Sequence, residues 1–223
     1  MRKFLTATLL CMALTVTMVP AAFAADTADS NYTTCMAAIQ EQKVIQDQAH
    51  QTAESLRQKG YDDSSAYIQA AQSTWWAAQD EIVAYQKLSK YTDEDIRILT
   101  TAVFYEAGHT TEQLREYVAQ VVLNRVADSR FPDTVKGVIT QPGQYATKYA
   151  TQAATDSIKS ADSQNGTYYY AMCEAAVKKA MMGQVDMPSN VLYQANFAQG
   201  KGVWQSVYFN SGWYASTSYF CYG

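Results

Sequence analysis

The carboxylate of Glu106 is the strongest candidate for chemistry in this sequence, near the end of the run Ala102–His109. Other common catalytic patterns are missing: the sequence has no HExxH or CxxC, no GxSxG and no glycine-rich phosphate loop. The two histidines, His50 and His109, are far apart, so neither a metal site nor a cofactor is predicted. By elimination, the residues favour acid–base chemistry by a carboxyl group.

The neighbours of Glu106 favour its protonated form. Val103, Phe104 and Tyr105 are apolar or aromatic, and burial among such side chains disfavours a charged carboxylate. The carboxyl end of a helix adds partial negative charge, which raises the pKa further. A general acid near neutral pH needs a pKa raised in this way. The alternative is an ordinary solvated glutamate at a helix end, and the local sequence alone favours that alternative.

Two predicted helices position this glutamate. Thr92–Asp95 is typical of a capped helix start with acids in the first turn, and Gly108 predicts its end. The predicted buried face consists of Ile96, Ile98, Leu99, Ala102 and Val103. Apolar residues three and four apart predict a second helix over 110–127, with Thr110 and Gln113 as its capping box.

The rest of the chain predicts more helix, then short strands. Residues 31–88 are typical of a helical hairpin, in which Gly60 ends the first helix and Asp62 or Asp63 caps the second. Its Trp75–Trp76 pair favours packing over a role as a wall- or partner-binding contact. The remaining predictions are a short amphipathic turn over 131–139, a closing turn at 141–145, a surface loop with some helix over 146–166 and a helix over 168–182. The segments near 191–195, 203–209 and 218–222 are predicted to be short strands or extended arms. The predicted fold class is α+β, mainly helical, with a small C-terminal β or irregular element.

The amino terminus predicts export. Arg2 and Lys3 precede an apolar run over 4–19, and Ala22–Ala24 forms an A-x-A cleavage site. Residues 1–24 are therefore predicted to be a secretory signal peptide, with an uncleaved anchor as the alternative. Its removal takes the formal charge from −4 to −6, and without a basic cluster a nucleic-acid partner is excluded. The mature chain is expected in the secreted fraction or the cell wall, without stable membrane insertion.

The mature chain would retain three cysteines, Cys35, Cys173 and Cys221. In an oxidising compartment this odd number permits at most one disulfide within a monomer. A Cys173–Cys221 bridge, tying the last helix to the C-terminus, is one possible pairing.

The region after Asp93 resembles the spore-cortex-lytic / cell-wall hydrolase family. The motifs that carry the resemblance are Asp95–Leu99, Val103–Ala107, Val121–Val126, Arg130–Val135 with Gly137–Ile139, and Gln141–Tyr145. The similarity covers about residues 93–223 and is densest through Tyr145. The expected domains are a hairpin appendage at 25–90 and a catalytic domain at 91–223.

The resemblance implies a compact, lysozyme-like domain that acts on the glycan strands of peptidoglycan, in the wall or in the spore cortex during germination. Glu106 matches the family's essential glutamate, which would act as the general acid and base. Lytic transglycosylation needs only that carboxylate, whereas a muramidase that uses water would need a second within about 5–9.5 Å. Glu112, Asp128 and Asp133 are candidates for a second carboxylate, but each is typical of a cap or a surface acid.

The sequence departs from the family directly after Glu106. The family usually continues Glu-Ala-x-Gly-Glu, whereas this chain has Gly108-His109-Thr110. The family's second glutamate is therefore absent, and His109 is a candidate to replace its hydrogen bonds in the cleft, with an exposed loop histidine as the alternative. The departure leaves open an inactive wall-binding or assembly protein on the same fold.

Five residues are predicted to bind the sugar. Gln144, Tyr145 and Tyr193 supply an amide and aromatic rings suited to N-acetyl groups and sugar faces, and His109 and Asn124 complete the set. Asn124 has an alternative role in tying its helix to a loop. Two further predictions concern packing: Arg125 is expected to form a structural ion pair, and Trp204 and Trp213 are expected to pack in the C-terminal arm rather than stack on sugar.

Overall fold

The computed structural model describes residues 29–160, 164–210, 212 and 215–223. In these residues there are seven α-helices, one 3-10 turn and a three-stranded sheet. The helices are α1 (Ser30–Gln58), α2 (Ala66–Leu88), α3 (Asp93–Ala107), α4 (Glu112–Ala127), α5 (Val135–Ile139), α6 (Gln152–Lys159) and α7 (Gln164–Met181). The 3-10 turn is Thr147–Ala150, and the strands are β1 (Val191–Ala195), β2 (Val203–Asn210) and β3 (Ala215–Tyr222). The prediction of a mainly helical α+β fold is confirmed.

The sheet is antiparallel with strand order β1-β3-β2, so the last strand lies in the middle. Val191 pairs with Tyr222, and the register of β1 against β3 shifts between Val191 and Tyr193. A bulge of this kind turns the side chains that follow it. It separates the buried start of β1 from its more exposed end.

Helix α4 is the centre of the core. Burial extends around most of its circumference, from Leu114 and Val118 to Leu123, since α3, α7 and β1 all pack against it. The predicted buried face of α3 is also confirmed, because all five of its residues are buried. The two helices that flank Glu106 are therefore held rigidly on several sides.

Helices α1 and α2 form the predicted hairpin and run antiparallel. Gln46 donates a hydrogen bond to the Gln79 side chain at 3.0 Å, and Ala53 packs with Ile68 near the turn. The other end is tied to the rest of the chain, because Asn31 donates to the Tyr91 carbonyl at 2.7 Å. The proposed division at residue 90 stays a prediction, and the predicted signal peptide at 1–24 lies outside the described residues.

Two predicted helix caps were off by one or more residues. Helix α2 is capped by Ser65, because the Asp62 carboxylate instead accepts hydrogen bonds from the backbone N–H and the hydroxyl of Ser64. Helix α4 is capped by Thr111, whose hydroxyl accepts from the Leu114 N–H at 3.2 Å. Thr110 instead donates to the Ala107 carbonyl at 2.6 Å and helps to close α3.

Three predictions about burial and pairing have different outcomes. Packing of the tryptophan pair is wrong for Trp76, which is 63% exposed although it borders a cavity together with Ala49 and His50 of α1. The possible Cys173–Cys221 bridge is not formed, since Cys35, Cys173 and Cys221 are all free thiols buried in the fold. Trp204 packs as predicted, with its ring centroid 5.1 Å from that of Tyr117, whereas Trp213 lies outside the described residues.

Candidate active site

A cleft of about 280 Å³ opens between the end of α3 and the sheet. Helix α3 contributes Glu106, α4 contributes Arg125, and the turn after α5 contributes Gln144 and Tyr145. The sheet and the loop after β1 supply the opposite wall: Gln194, Ala195, Asn196, Phe209, Ser216 and Ser218. The cleft therefore combines one carboxylate and one guanidinium with amides, hydroxyls and two aromatic rings.

Glu106 reaches this cleft because α3 ends beside it. Leu99 and Val103 anchor one face of the helix in the core, and Glu106 follows Val103 by less than one turn. The helix stops at Ala107 with Gly108 as its cap. A Cβ at position 108 would lie 2.6 Å from the Phe104 carbonyl oxygen, so the glycine permits the tight exit from the helix.

The pKa of Glu106 is raised from its ordinary value by desolvation. Its side chain is open to the cleft, but surrounding protein displaces much of the water near the carboxylate. Within the described part of the chain, no donor forms a hydrogen bond with this carboxylate that would offset the effect. The charge of Glu106 in turn contributes to the raised pKa values of Tyr145, at about 12, and Tyr149, although desolvation is the larger cause for both.

The 3-10 turn packs against α3 and is held there by Arg97. The guanidinium of Arg97 donates to the carbonyls of Ala150 and Thr151, each at 3.1 Å. These bonds bring Tyr149 against Tyr105, the residue before Glu106. The sequence identifies Tyr105 only as an aromatic neighbour of Glu106. Its contact with Tyr149 was not predicted, because it joins segments more than 40 residues apart.

Two of the predicted sugar-binding residues, Gln144 and Tyr145, line the cleft with Glu106. Tyr193 is not among the lining residues, and its ring lies 5.8 Å from the Arg125 guanidinium carbon. His109 is likewise outside the lining, with its ring edge-on to Tyr169 at a centroid distance of 4.3 Å. Sugar binding by these residues stays a prediction, but the expected hydrogen bonding of His109 inside this cleft finds no support in the geometry.

Asn124 is used to join α4 to β1. Only 5% of the residue is exposed, and its amide nitrogen donates to the carbonyls of Pro188 at 3.0 Å and Val191 at 2.9 Å. Its oxygen accepts from Gln120 at 2.9 Å. The alternative weighed from the sequence, a tie between helix and loop, fits these contacts better than substrate binding does.

The predicted ion pair of Arg125 is wrong. Across the described ranges, no carboxylate lies within 4.0 Å of its guanidinium. Its Nε instead donates to the Leu192 carbonyl at 2.7 Å. The guanidinium also lies 5.3 Å from the ring centre of Phe131 and 5.7 Å from that of Tyr145.

The wall formed by the sheet was not predicted residue by residue. Ser216 and Ser218 both line the cleft from β3, and their spacing of two is the signal that places them on one face of a strand. Gln194 and Asn196 have the same spacing beyond the bulge in β1, but a bulge cannot be located from sequence alone. Which face meets Glu106 depends on how the sheet docks on α4.

The three other carboxylates considered from the sequence lie away from the cleft lining. Glu112 is 3.7 Å from Lys179, and Asp128 forms an ion pair with Arg130 at 2.8 Å. Hydrogen bonds from Arg130 lower the Asp128 pKa to about 2, so it is unsuited to act as an acid. Asp133 is exposed. Among the residues described, no group of three or more His, Cys, Asp or Glu could hold a metal ion.

Fold and cleft together define a mainly helical α+β domain in which Glu106 is the one acidic side chain among the described residues that line a polar groove. Residues 111–217 match the family model described as Cell Wall Hydrolase, so this segment of the chain is similar to the cell wall hydrolase family. The resemblance drawn from the motifs is thereby confirmed. Glu106 precedes the matched segment by five residues.

The chain is similar to several proteins named Spore cortex-lytic enzyme. It is 34% identical to that of Halalkalibacterium halodurans over 108 residues, covering 42% of this chain and 33% of the relative. The Bacillus cereus protein is 34% identical over 100 residues, covering 40% and 39%, and the Bacillus subtilis protein is 27% identical over 119 residues, covering 48% and 39%. The chain thus spans between 33% and 39% of the length of these relatives. No solved structure matches it.

Proposed function

We propose that this protein cleaves the glycan strands of peptidoglycan, with Glu106 as general acid and base. One observation carries the proposal: of the described residues that line the cleft, Glu106 alone is acidic, and desolvation raises its pKa. A carboxyl group with a raised pKa keeps its proton to a higher pH than an ordinary glutamate and can give it to a glycosidic oxygen. The family match and the relatives named Spore cortex-lytic enzyme support a wall polymer as the substrate.

The reaction that fits one carboxylate is lytic transglycosylation. Glu106 donates its proton to the glycosidic oxygen as the C1–O bond of N-acetylmuramic acid breaks. The C6 hydroxyl oxygen of the same sugar then bonds to C1, and its proton passes to the Glu106 carboxylate. The result is a 1,6-anhydro end, with Glu106 returned to its protonated form.

Hydrolysis by the muramidase route is the other form of the reaction. A retaining or inverting hydrolase uses two carboxylates about 5–9.5 Å apart, and Glu112, Asp128 and Asp133 are not among the residues that line the cleft. The geometry therefore favours the anhydro product over hydrolysis.

Export to the wall or the spore cortex is part of the proposal. It rests on the sequence pattern of residues 1–24 and on the kind of substrate proposed. In the described portion, no helix is both long and apolar enough to cross a membrane. We assign residues 25–90 to a helical appendage and residues 91–223 to the catalytic domain.

The test is digestion of purified peptidoglycan by the wild type and by Glu106→Gln. We expect the wild type to release muropeptides with 1,6-anhydro ends, identified by their mass, and the variant to release none. Reducing ends instead would indicate hydrolysis. Equal release by both proteins would show that Glu106 does not act in the reaction. No release by either protein would contradict the proposal that this protein cleaves peptidoglycan.

An inactive wall-binding or assembly protein is the second candidate. Trp76 and Tyr67 on the hairpin are 63% and 62% exposed, which is typical of a contact surface. This candidate predicts that the wild type and Glu106→Gln co-sediment equally with insoluble peptidoglycan and that neither digests it.

A further inference from the structure

Arg125 is a nearly buried cation without a counter-ion. Only 4% of the residue is exposed, and no carboxylate of the described chain pairs with it. A buried charge usually has an ionic partner, because desolvation of an unpaired charge is costly. Arg115 is also buried without a carboxylate partner, but one of its terminal nitrogens donates to two backbone carbonyls. Arg125 differs because it lines the cleft, so its unpaired charge is to be explained by what occupies that cleft.

The fold fixes the direction of the guanidinium. Nε is bonded to the Leu192 carbonyl at 2.7 Å, and the rings of Phe131, Tyr145 and Tyr193 lie 5.3–5.8 Å from the central carbon. Aromatic faces favour a cation, but they accept no directional hydrogen bonds from the two terminal nitrogens. Those nitrogens have no hydrogen-bond partner in the described residues and are not sealed from solvent, so their N–H groups are available to a ligand in the cleft.

The chemistry of this position selects an oxygen anion or a strong carbonyl acceptor. Guanidinium groups bind carboxylates through two parallel hydrogen bonds, whereas neutral side chains are sufficient to hydrogen-bond sugar hydroxyls and acetamido groups. Gln144, Gln194 and Asn196 already line the cleft for that purpose. A glycan made only of neutral sugars would leave the Arg125 charge unpaired.

We propose that Arg125 binds the lactyl carboxyl group carried by N-acetylmuramic acid and so selects peptidoglycan over neutral glycans of the same backbone. The inference rests on the proposed function for the identity of the polymer. In stem-peptide-free strands the lactyl group is a carboxylate, and in peptide-bearing strands it is an amide whose carbonyl oxygen remains an acceptor. Arg125 binds both forms, the carboxylate more tightly.

Binding to Glu106→Gln protein tests this separately from cleavage. The ligands are a peptide-free peptidoglycan tetrasaccharide and chitotetraose, which lacks only the lactyl groups. Isothermal titration calorimetry is expected to give about tenfold tighter binding of the peptidoglycan fragment, with a preference that weakens in high salt. Adding Arg125→Met should abolish the preference by weakening binding of the peptidoglycan fragment more than binding of chitotetraose, and Arg125→Lys should retain part of it.

Arg130→Met is the matched control, because Arg130 is an exposed arginine paired with Asp128 and should keep the full preference. Since Arg125→Met also removes the bond to Leu192, its folding is checked by circular dichroism. If it does not fold, the two-ligand comparison on Glu106→Gln protein decides alone. Equal affinity for the two ligands, or equal weakening of both by Arg125→Met, would overturn the proposal. If the protein prefers the lactyl-bearing ligand but cleaves no peptidoglycan, the proposal for Arg125 stands and the proposed enzymatic function is wrong.

Discussion

The rings of Tyr105 and Tyr149 stack in parallel, with centroids 4.6 Å apart and planes 6° apart. Tyr105 directly precedes Glu106, and Tyr149 belongs to the 3-10 turn that Arg97 holds against α3. Tyr149 is also near enough to Glu106 for the charge of that carboxylate to contribute to the raised pKa of Tyr149. The stack links the environment of Glu106 to a segment far away in the sequence.

Replacing Tyr149 with alanine should lower the pKa of Glu106, so that less of the carboxyl group is protonated at a given pH. Loss of the ring admits water to the carboxylate, so its raised pKa should fall toward the ordinary value. The alkaline limb of the kcat/KM profile against pH should then move to lower pH. The free energy of unfolding should drop by about 1 kcal/mol from the lost ring pair. Tyr149→Phe keeps the stack and serves as the control, and an unmoved limb in Tyr149→Ala would show that the ring does not set this pKa.

Glu106→Gln should stabilise the protein at neutral pH but not in acid. The fold raises the pKa of Glu106 and so favours its protonated form. The contribution of this form to the free energy of unfolding is fully present below the unfolded-state pKa of about 4.3. That contribution is lost as the pH rises through the higher folded-state pKa. Glutamine does not ionise, so the variant does not lose this stability as the pH rises.

Urea unfolding at several pH values measures the effect. The midpoint difference between Glu106→Gln and the wild type should grow in favour of the variant as the pH rises past about 4.3. Glu112→Gln, an exposed glutamate outside the cleft lining, controls for the loss of a surface charge. A pH-independent difference between wild type and Glu106→Gln would contradict the raised pKa.

The position of Glu106 was predictable because its signals are local. The cap at Thr92, the apolar period through Val103 and the stop at Gly108 all act within one helix. The neighbouring cap was less certain, since Thr110 and Thr111 are adjacent and either hydroxyl fits the pattern. Only the carbonyl of Ala107, already placed by α3, assigns Thr110 to the end of the first helix.

The environment of Arg125 was not predictable, because its partner is distant in the sequence. Leu192 lies 67 residues further along the chain, and its carbonyl reaches Arg125 only after β1 docks on α4. An arginine near Asp128 and Asp133 favours an ion pair on sequence grounds. In the fold, however, Asp128 is taken by Arg130. The prediction that Trp76 packs was wrong for the same reason, because burial of a side chain on the hairpin depends on contacts with distant segments that the local sequence does not show.

Asn124→Ala should reduce stability much more than substrate affinity. The substitution leaves the carbonyls of Pro188 and Val191 without their buried donor, and each such loss costs about 1–3 kcal/mol. The free energy of unfolding should therefore fall by about 3 kcal/mol, with KM nearly unchanged where the variant remains folded. Gln113→Ala on the exposed side of α4 is the control. A raised KM with unaltered stability would restore the substrate-binding role of Asn124.

Arg115→Met should loosen the loop after Glu106. Only 2% of Arg115 is exposed, and one of its terminal nitrogens donates to the carbonyls of Gly108 at 3.3 Å and Thr110 at 2.6 Å. Without these bonds the unfolding free energy should fall by about 3 kcal/mol, and kcat should fall because the helix end that carries Glu106 is less well fixed. Urea denaturation and the rate of peptidoglycan digestion measure the two effects. The exposed Arg130→Met should change neither, and full activity in a destabilised Arg115→Met would mean that this loop does not position the carboxylate.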